Sequence, residues 1–278
     1  MKTIKDKIEG KYKTISLDLQ FQEITNKKLI PVILVHGFKG YKDWGAFNLI
    51  AENLASSGFF VLKFNFSHNG TTSEHLTEFV DLNAFGLNNI SRELEDLNSI
   101  LDYFESEWKD WVDLEELSLI AHSRGGATSI LKASTDSRIK KMVTWASVGT
   151  IEKRIPQISL EEFKRTNVIY QLNGRTGQQM PIFYQFVEDF YDNIDRYALI
   201  KSASKLDIPV CIIHGTNDAT VSVREAEALK KAIPNSELFL IEDGDHSFGQ
   251  AEPWLSKTMP EQLSLVVEKT ISFLKPKT

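Results

Sequence analysis

An α/β fold, a mostly parallel sheet flanked by helices, is the class this sequence predicts, and three observations carry it. Near-continuous apolar runs recur along the chain, helical patterns with one apolar face separate several of them, and several runs end in a polar, glycine-containing loop. Continuous apolar runs suit strands covered on both faces. Strands alternating with amphipathic helices favour a parallel sheet with right-handed crossovers.

The elements follow in order. The opening MKTIKDKIEGKYKT has no apolar core or cleavage pattern of a signal peptide. Thr14 to Phe21 (TISLDLQF) alternates, as a half-exposed strand near a sheet edge does. Leu29 to Val35 (LIPVILV) is nearly all apolar, and Phe59 to Phe66, Leu117 to Ala121, Met142 to Ala146, Val210 to Ile213 and Glu237 to Ile241 read similarly. Phe47 to Leu54 has helical spacing and stops before Gly58. Ile90, Leu94, Leu97, Leu101 and Phe104 mark one face of a longer helix, and Ala226 to Ile233 and Leu263 to Leu274 behave alike.

The chain has 278 residues and is 42% hydrophobic, enough to fill a sizeable core. A net charge of −6 and scattered lysines and arginines argue against a nucleic-acid partner. No segment approaches the roughly 18 apolar residues of a membrane span, so a cytoplasmic protein without a membrane partner is expected. Cys211 is the sole cysteine and sits in an apolar run, where a buried thiol is the default.

One stretch raises a chemical question. In LSLIAHSRGGATSI an apolar strand stops on Ser123, followed after one residue by Gly125 and Gly126. Small-x-Ser-x-Gly between a strand and a helix is the context of a strained turn that presents a nucleophile. A serine that merely caps the following helix is the competing reading. A serine hydroxyl needs a base, and the base needs an orienting acid. Both should follow later in the chain, past the carboxyl ends of other strands. HGTNDATV places Asp218 there and EDGDHSFG places His246 after the next strand. Asp243 and Asp245 are competing carboxylates, although Asp245 adjoins the histidine and is badly placed to orient its ring.

A tetrahedral intermediate would need two backbone N–H donors. Arg124, after the candidate nucleophile, supplies one, and Phe38 in VHGFKG supplies the other. His36 and His214 read as structural hydrogen-bonders, His122 as pointing away from Ser123, and His68 and His75 as loop residues. No histidine pair at ligand spacing and no H-E-x-x-H is present, so neither a metal nor a cofactor is expected.

The motifs VHGFKG, FNFSHNG, AHSRGG, HGTNDATV and GDHSF together resemble the α/β-hydrolase superfamily over nearly the whole chain. They look most like its serine esterase and dienelactone-hydrolase-like branch, near the feruloyl esterases. The resemblance implies Ser123 as nucleophile, His246 as base and Asp218 as its orienter. It also implies a core of 1–149 and 208–278, with a lid at 150–207 between the sixth and seventh core strands. Ala121 departs from the usual glycine, and FNFSHNG from D-F-x-G-H-G. A serine at the elbow disfavours the cysteine chemistry of true dienelactone hydrolases and the aspartate chemistry of dehalogenases and epoxide hydrolases.

The interval between Gly149 and Pro209 is long for a connection and rich in aromatics, which suits a lid or extra packing. Phe183 and Tyr184 within it are candidate substrate-binding residues for an apolar or aromatic acyl group. The expected function is hydrolysis of a small-molecule carboxylic ester through an acyl-enzyme. A thioesterase, or a small aminopeptidase reading an amine with Glu188, Asp189 or Asp192, is the alternative. A non-catalytic binding protein on the same fold is a third reading.

Overall fold

The computed structural model describes residues 1–23, 27–156 and 158–276. Ten strands are present among them: β1 (Lys2–Glu9), β2 (Thr14–Phe21), β3 (Ile30–Val35), β4 (Phe59–Phe64), β5 (Ser118–His122), β6 (Lys141–Trp145), β7 (Val168–Leu172), β8 (Gln179–Phe183), β9 (Val210–Gly215) and β10 (Ser236–Ile241). Eight form one sheet in the order β1-β2-β4-β3-β5-β6-β9-β10, and β7 and β8 pair separately. From β4 to β10 every neighbour is parallel, while β2 is antiparallel to β4 and to β1.

The seven expected strands lie in this sheet, none with an end moved by more than two residues. β1 is a further strand beyond those seven. It is largely exposed, with only Ile4 and Ile8 packing on the core. A strand with so little to bury leaves no apolar run to read, and its lysines keep an exposed edge from pairing with other chains.

Nine α-helices are present among the described residues: α1 (Phe47–Ser56), α2 (Leu82–Leu87), α3 (Ile90–Trp108), α4 (Arg124–Ala133), α5 (Leu160–Thr166), α6 (Gln185–Asp192), α7 (Leu199–Ala203), α8 (Val223–Ala232) and α9 (Glu261–Leu274). Alternation along the strands sorts them onto two faces. Val32, Leu34, Ile120 and Val143 share a core with Ile50 and Leu54 of α1 and Val266 and Val267 of α9. Ile33, Val35, Leu119 and Ala121 pack instead with Leu94 and Leu97 of α3, Ala127 and Ile130 of α4 and Leu229 of α8. Both faces of the sheet are therefore covered, which is why its central strands carry no polar alternation.

Between β6 and β9 the chain builds α5, the β7–β8 pair, α6 and α7. Phe186, Phe190 and Tyr197 are buried in the same core cluster as the sheet. The start of α3 holds this segment by side chains: the Asn89 amide donates to Gln185 Oε1 at 2.6 Å, and Ser91 and Tyr197 hydroxyls lie 2.6 Å apart. Asp189 accepts from the Tyr197 hydroxyl at 2.9 Å and from the Ser91 N–H at 3.2 Å, so its carboxylate is occupied within the fold.

Candidate active site

Strand β5 ends at His122 and α4 begins at Arg124, so Ser123 must turn the chain between them. It does so at φ 56° and ψ −121°, a region that side-chain-bearing residues rarely adopt. Its N–H donates to Trp145 O at 2.9 Å, and its carbonyl accepts from Gly126 N–H at 3.0 Å, so both sides of the turn are pinned. Close packing leaves no choice in the glycines. A Cβ on Gly125 would stand 2.4 Å from His36 O, and one on Gly37 would stand 2.8 Å from Ser123 Cβ. The latter contact brings the loop after β3 directly against Ser123.

Three elements bring Ser123, His246 and Asp218 together from the ends of β5, β10 and β9. The Ser123 hydroxyl lies 3.0 Å from His246 Nε2, and His246 Nδ1 lies 2.8 Å from Asp218 Oδ2. Asp218 Oδ1 accepts from the N–H groups of Thr220 and Val221, both at 2.8 Å. Burial pushes the Asp218 carboxyl up, but hydrogen bonds from His214, His246 and the Val221 N–H outweigh it and hold the group well below the usual carboxylate range. The ionised Asp218 therefore fixes His246 with its proton on Nδ1, leaving the Nε2 lone pair free to take the serine proton. Asp245 is occupied elsewhere, accepting from Ser247 and Gly249 N–H at 2.9 Å.

His36 and His214 hold loops. His36 Nδ1–H donates to Gly37 O at 2.9 Å, and its Nε2 accepts from Phe66 N–H at 3.1 Å; burial keeps its pKa down at about 4. His214 Nε2–H donates to Val221 O at 2.8 Å. His122 lies against His246. Its ring faces that of His246 at 4.8 Å, and its Nε2–H donates to His246 O at 2.9 Å. Burial, then the charge of His246, lowers the His122 pKa to about 3, so it supports the loop as a neutral ring.

The two expected backbone donors lie on adjoining residues. Among the described residues neither the Phe38 nor the Arg124 N–H donates to a protein group, and the first N–H groups of a helix have no partner within it. Their side chains are locked together: the Arg124 guanidinium lies 4.5 Å from the Phe38 ring centroid and pairs with buried Glu93. Glu93 also accepts from Thr128 at 2.8 Å and Asn88 at 2.9 Å.

A buried charge cluster anchors the far side of the Phe38 loop. Lys42 bridges Asp18 at 2.7 Å and Asp43 at 2.6 Å, Lys63 lies 3.1 Å from Asp18 and also pairs with Asp43, and the Lys42 side chain is 1% exposed. Lys42→Met would leave two buried carboxylates sharing one cation. A loss of about 3–5 kcal/mol in urea-unfolding stability is expected, because removing one partner strands a buried charge.

Two cavities open on this site. One, of about 210 Å³, has walls that include His122, Trp44 and Arg175. The other, of about 590 Å³, is bounded by Arg154, Ile182, Phe186 and Val221. Phe38, Lys39, Ser123 and His246 line both. Phe183 and Tyr184 do not line either. Alternation along β8 turns Ile182 to the larger cavity and Phe183 onto Gly86 of α2, where a Cβ would stand 2.8 Å from the ring. Tyr184 packs edge-on against Phe163 at 5.3 Å. Ile182 and Phe186, one and two positions away, are the wall residues in their place. Among the described residues no group of three or more His, Cys, Asp or Glu could hold a metal ion.

A family model described as alpha/beta hydrolase fold matches residues 30–193. The chain belongs to that family. Within the sequence comparison, this α/β hydrolase is 24% identical to mouse serine hydrolase BPHL over 166 residues, covering 52% of the chain and 56% of the mouse protein. The chain thus spans little more than half the length of that relative. In structure it resembles Est1E from Butyrivibrio proteoclasticus with ferulic acid bound, with TM-score 0.72, 19% identity and 97% of each chain covered. It also resembles an esterase domain from a Rhodothermus marinus protein, with TM-score 0.66, 18% identity and 98% and 97% of the two chains covered. Among the described residues no helix of this α/β hydrolase is long and apolar enough to cross a membrane.

Proposed function

We propose that the protein hydrolyses carboxylic esters of small molecules by nucleophilic catalysis. The observation that carries the reading is the continuous chain of contacts Ser123 Oγ–His246 Nε2–Nδ1–Asp218, at 3.0 and 2.8 Å. Ser123 attacks the acyl carbonyl as His246 takes its proton, and the charge on the carbonyl oxygen falls to the Phe38 and Arg124 N–H groups. His246 then protonates the departing alcohol. Water, deprotonated by His246, attacks the acyl-enzyme, releases the acid and returns the proton to Ser123 Oγ.

Residues 150–207 act in this reading as a lid, since Lys153 to Pro156, Gln171, Ile182 and Phe186 wall the larger cavity. A cytoplasmic location belongs to the same reading. The aminopeptidase alternative loses support, because the Asp189 carboxylate is bound within the fold and Glu188 and Asp192 are exposed. A fluorophosphonate probe should label the wild-type protein stoichiometrically, with the modified peptide containing Ser123, and labelling should abolish release of p-nitrophenol from p-nitrophenyl butyrate. Labelling elsewhere, or turnover that survives it, would overturn the assignment.

A further inference from the structure

The walls of both cavities carry cations and, among the described residues, no aspartate or glutamate. That distribution runs against the chain's net charge of −6. Most of these cations are matched from behind: Arg124 by Glu93, and Arg154 by Glu225 at 2.6 Å, with Lys153 at 3.8 Å from the same carboxylate. Lys39 and Arg175 differ. Both line the smaller cavity, beside Ser123 and His246, and neither has a carboxylate within ion-pair distance among the described residues.

Arg175 is held in place without being neutralised. Its guanidinium stacks 5.4 Å from the Tyr41 ring and 5.6 Å from that of Phe79, and it reaches the Tyr41 hydroxyl at 3.4 Å. The Glu252 carboxylate accepts instead from the Gly45 N–H. Lys39 stands at φ 56° on the residue after Phe38, with its ammonium 5.6 Å from the Phe38 ring centroid. Burial and then the charge of Arg175 lower the Lys39 pKa, which is the mark of a cation short of a counter-charge.

We infer that Lys39 and Arg175 form an anion subsite in the smaller cavity, so that the preferred substrate is an ester with a carboxylate on the arm lodged there. This rests on the ester-hydrolase reading above. A carboxylate between the two cations would gain charge-assisted hydrogen bonds, which a fork-shaped guanidinium makes in pairs. The apolar neighbours Trp44 and Phe47 would cover the short chain that links it to the ester.

Two matched pairs of substrates test it, because either half of the ester could occupy the smaller cavity. One pair is p-nitrophenyl pentanoate and p-nitrophenyl hemiglutarate; the other is ethyl butyrate and O-butyrylglycolate, followed by titration of released acid. In at least one pair kcat/KM should favour the anionic member by about 10-fold or more at low salt, the scale of one charge-assisted contact. The ratio should collapse in Lys39→Gln/Arg175→Gln and shrink at 0.5 M NaCl, and as a ratio within one protein it is insensitive to the folded fraction. No anionic preference in either pair, or a preference the double variant keeps, would overturn the inference while leaving the ester reading intact. Absence of all turnover would instead sink the ester reading. Calorimetry with monomethyl and dimethyl glutarate then decides: tighter binding of the monoester, lost in the double variant, supports the subsite, and equal binding overturns it.

Discussion

Replacing Ser123 with alanine should lower kcat on any ester the protein turns over by about 10⁴-fold or more, the scale set by loss of a covalent nucleophile. The substitution removes one oxygen and nothing else. Ser123 Oγ is the atom 3.0 Å from His246 Nε2, whereas the turn is held by the backbone, through Ser123 N–H to Trp145 O and Gly126 N–H to Ser123 O. Alanine has the same Cβ and meets the same strain at φ 56°. The unfolding midpoint should therefore move little while turnover vanishes. Some rate above that of water should persist if, as proposed, the Phe38 and Arg124 N–H groups bind the carbonyl oxygen. The measurement is kcat for p-nitrophenyl butyrate alongside a urea-unfolding curve. A variant within tenfold of wild type would remove Ser123 from the chemistry.

Asp218→Asn should cost about 10⁴-fold in kcat with the backbone of the site unmoved. Asp218 divides its two oxygens between tasks: Oδ1 takes the Thr220 and Val221 N–H groups, and Oδ2 faces His246 Nδ1. An asparagine keeps Oδ1 on the two N–H groups and so turns its NH₂ toward His246. That NH₂ is a donor facing a donor, and His246 relieves the conflict by moving its proton to Nε2. The ring then has no lone pair for the serine. A near-wild-type kcat, or an imidazole proton found on Nδ1 by NMR in the variant, would show that Asp218 does not orient the ring. Burial keeps His36, His68 and His122 neutral down to about pH 4, so activity measured against pH should show no limb from these three rings above that value.

How much of this was legible in the sequence depended on whether a residue's partners lay nearby in the chain. Apolar runs such as LIPVILV announce strands because both faces are buried, and the central sheet followed from them. The meeting of Ser123, Asp218 and His246 was legible because each follows such a run, so one rule about strand ends brought the three together. β1 escaped because it buries almost nothing. Phe183 misled because an aromatic on a strand faces whichever side alternation dictates, and the neighbour one step along took the cavity wall. Lys42, Glu93, Lys39 and Arg175 gave no signal. Each acquires its meaning from groups distant in the chain, such as Asp18 for Lys42 and Tyr41 for Arg175, and charge alone does not mark a residue as buried or paired.

Under the proposed mechanism, the two cavities that share Ser123 and His246 have a kinetic consequence. If the halves of a substrate occupy separate chambers, the first product departs while the second half stays bonded to the serine. The vacated chamber is then open to whichever nucleophile enters first. Water gives hydrolysis; an alcohol of matching size would intercept the same intermediate and yield a new ester. Partitioning between the two at a given alcohol concentration would thus report the shape of the emptied chamber, independently of how the first half was recognised.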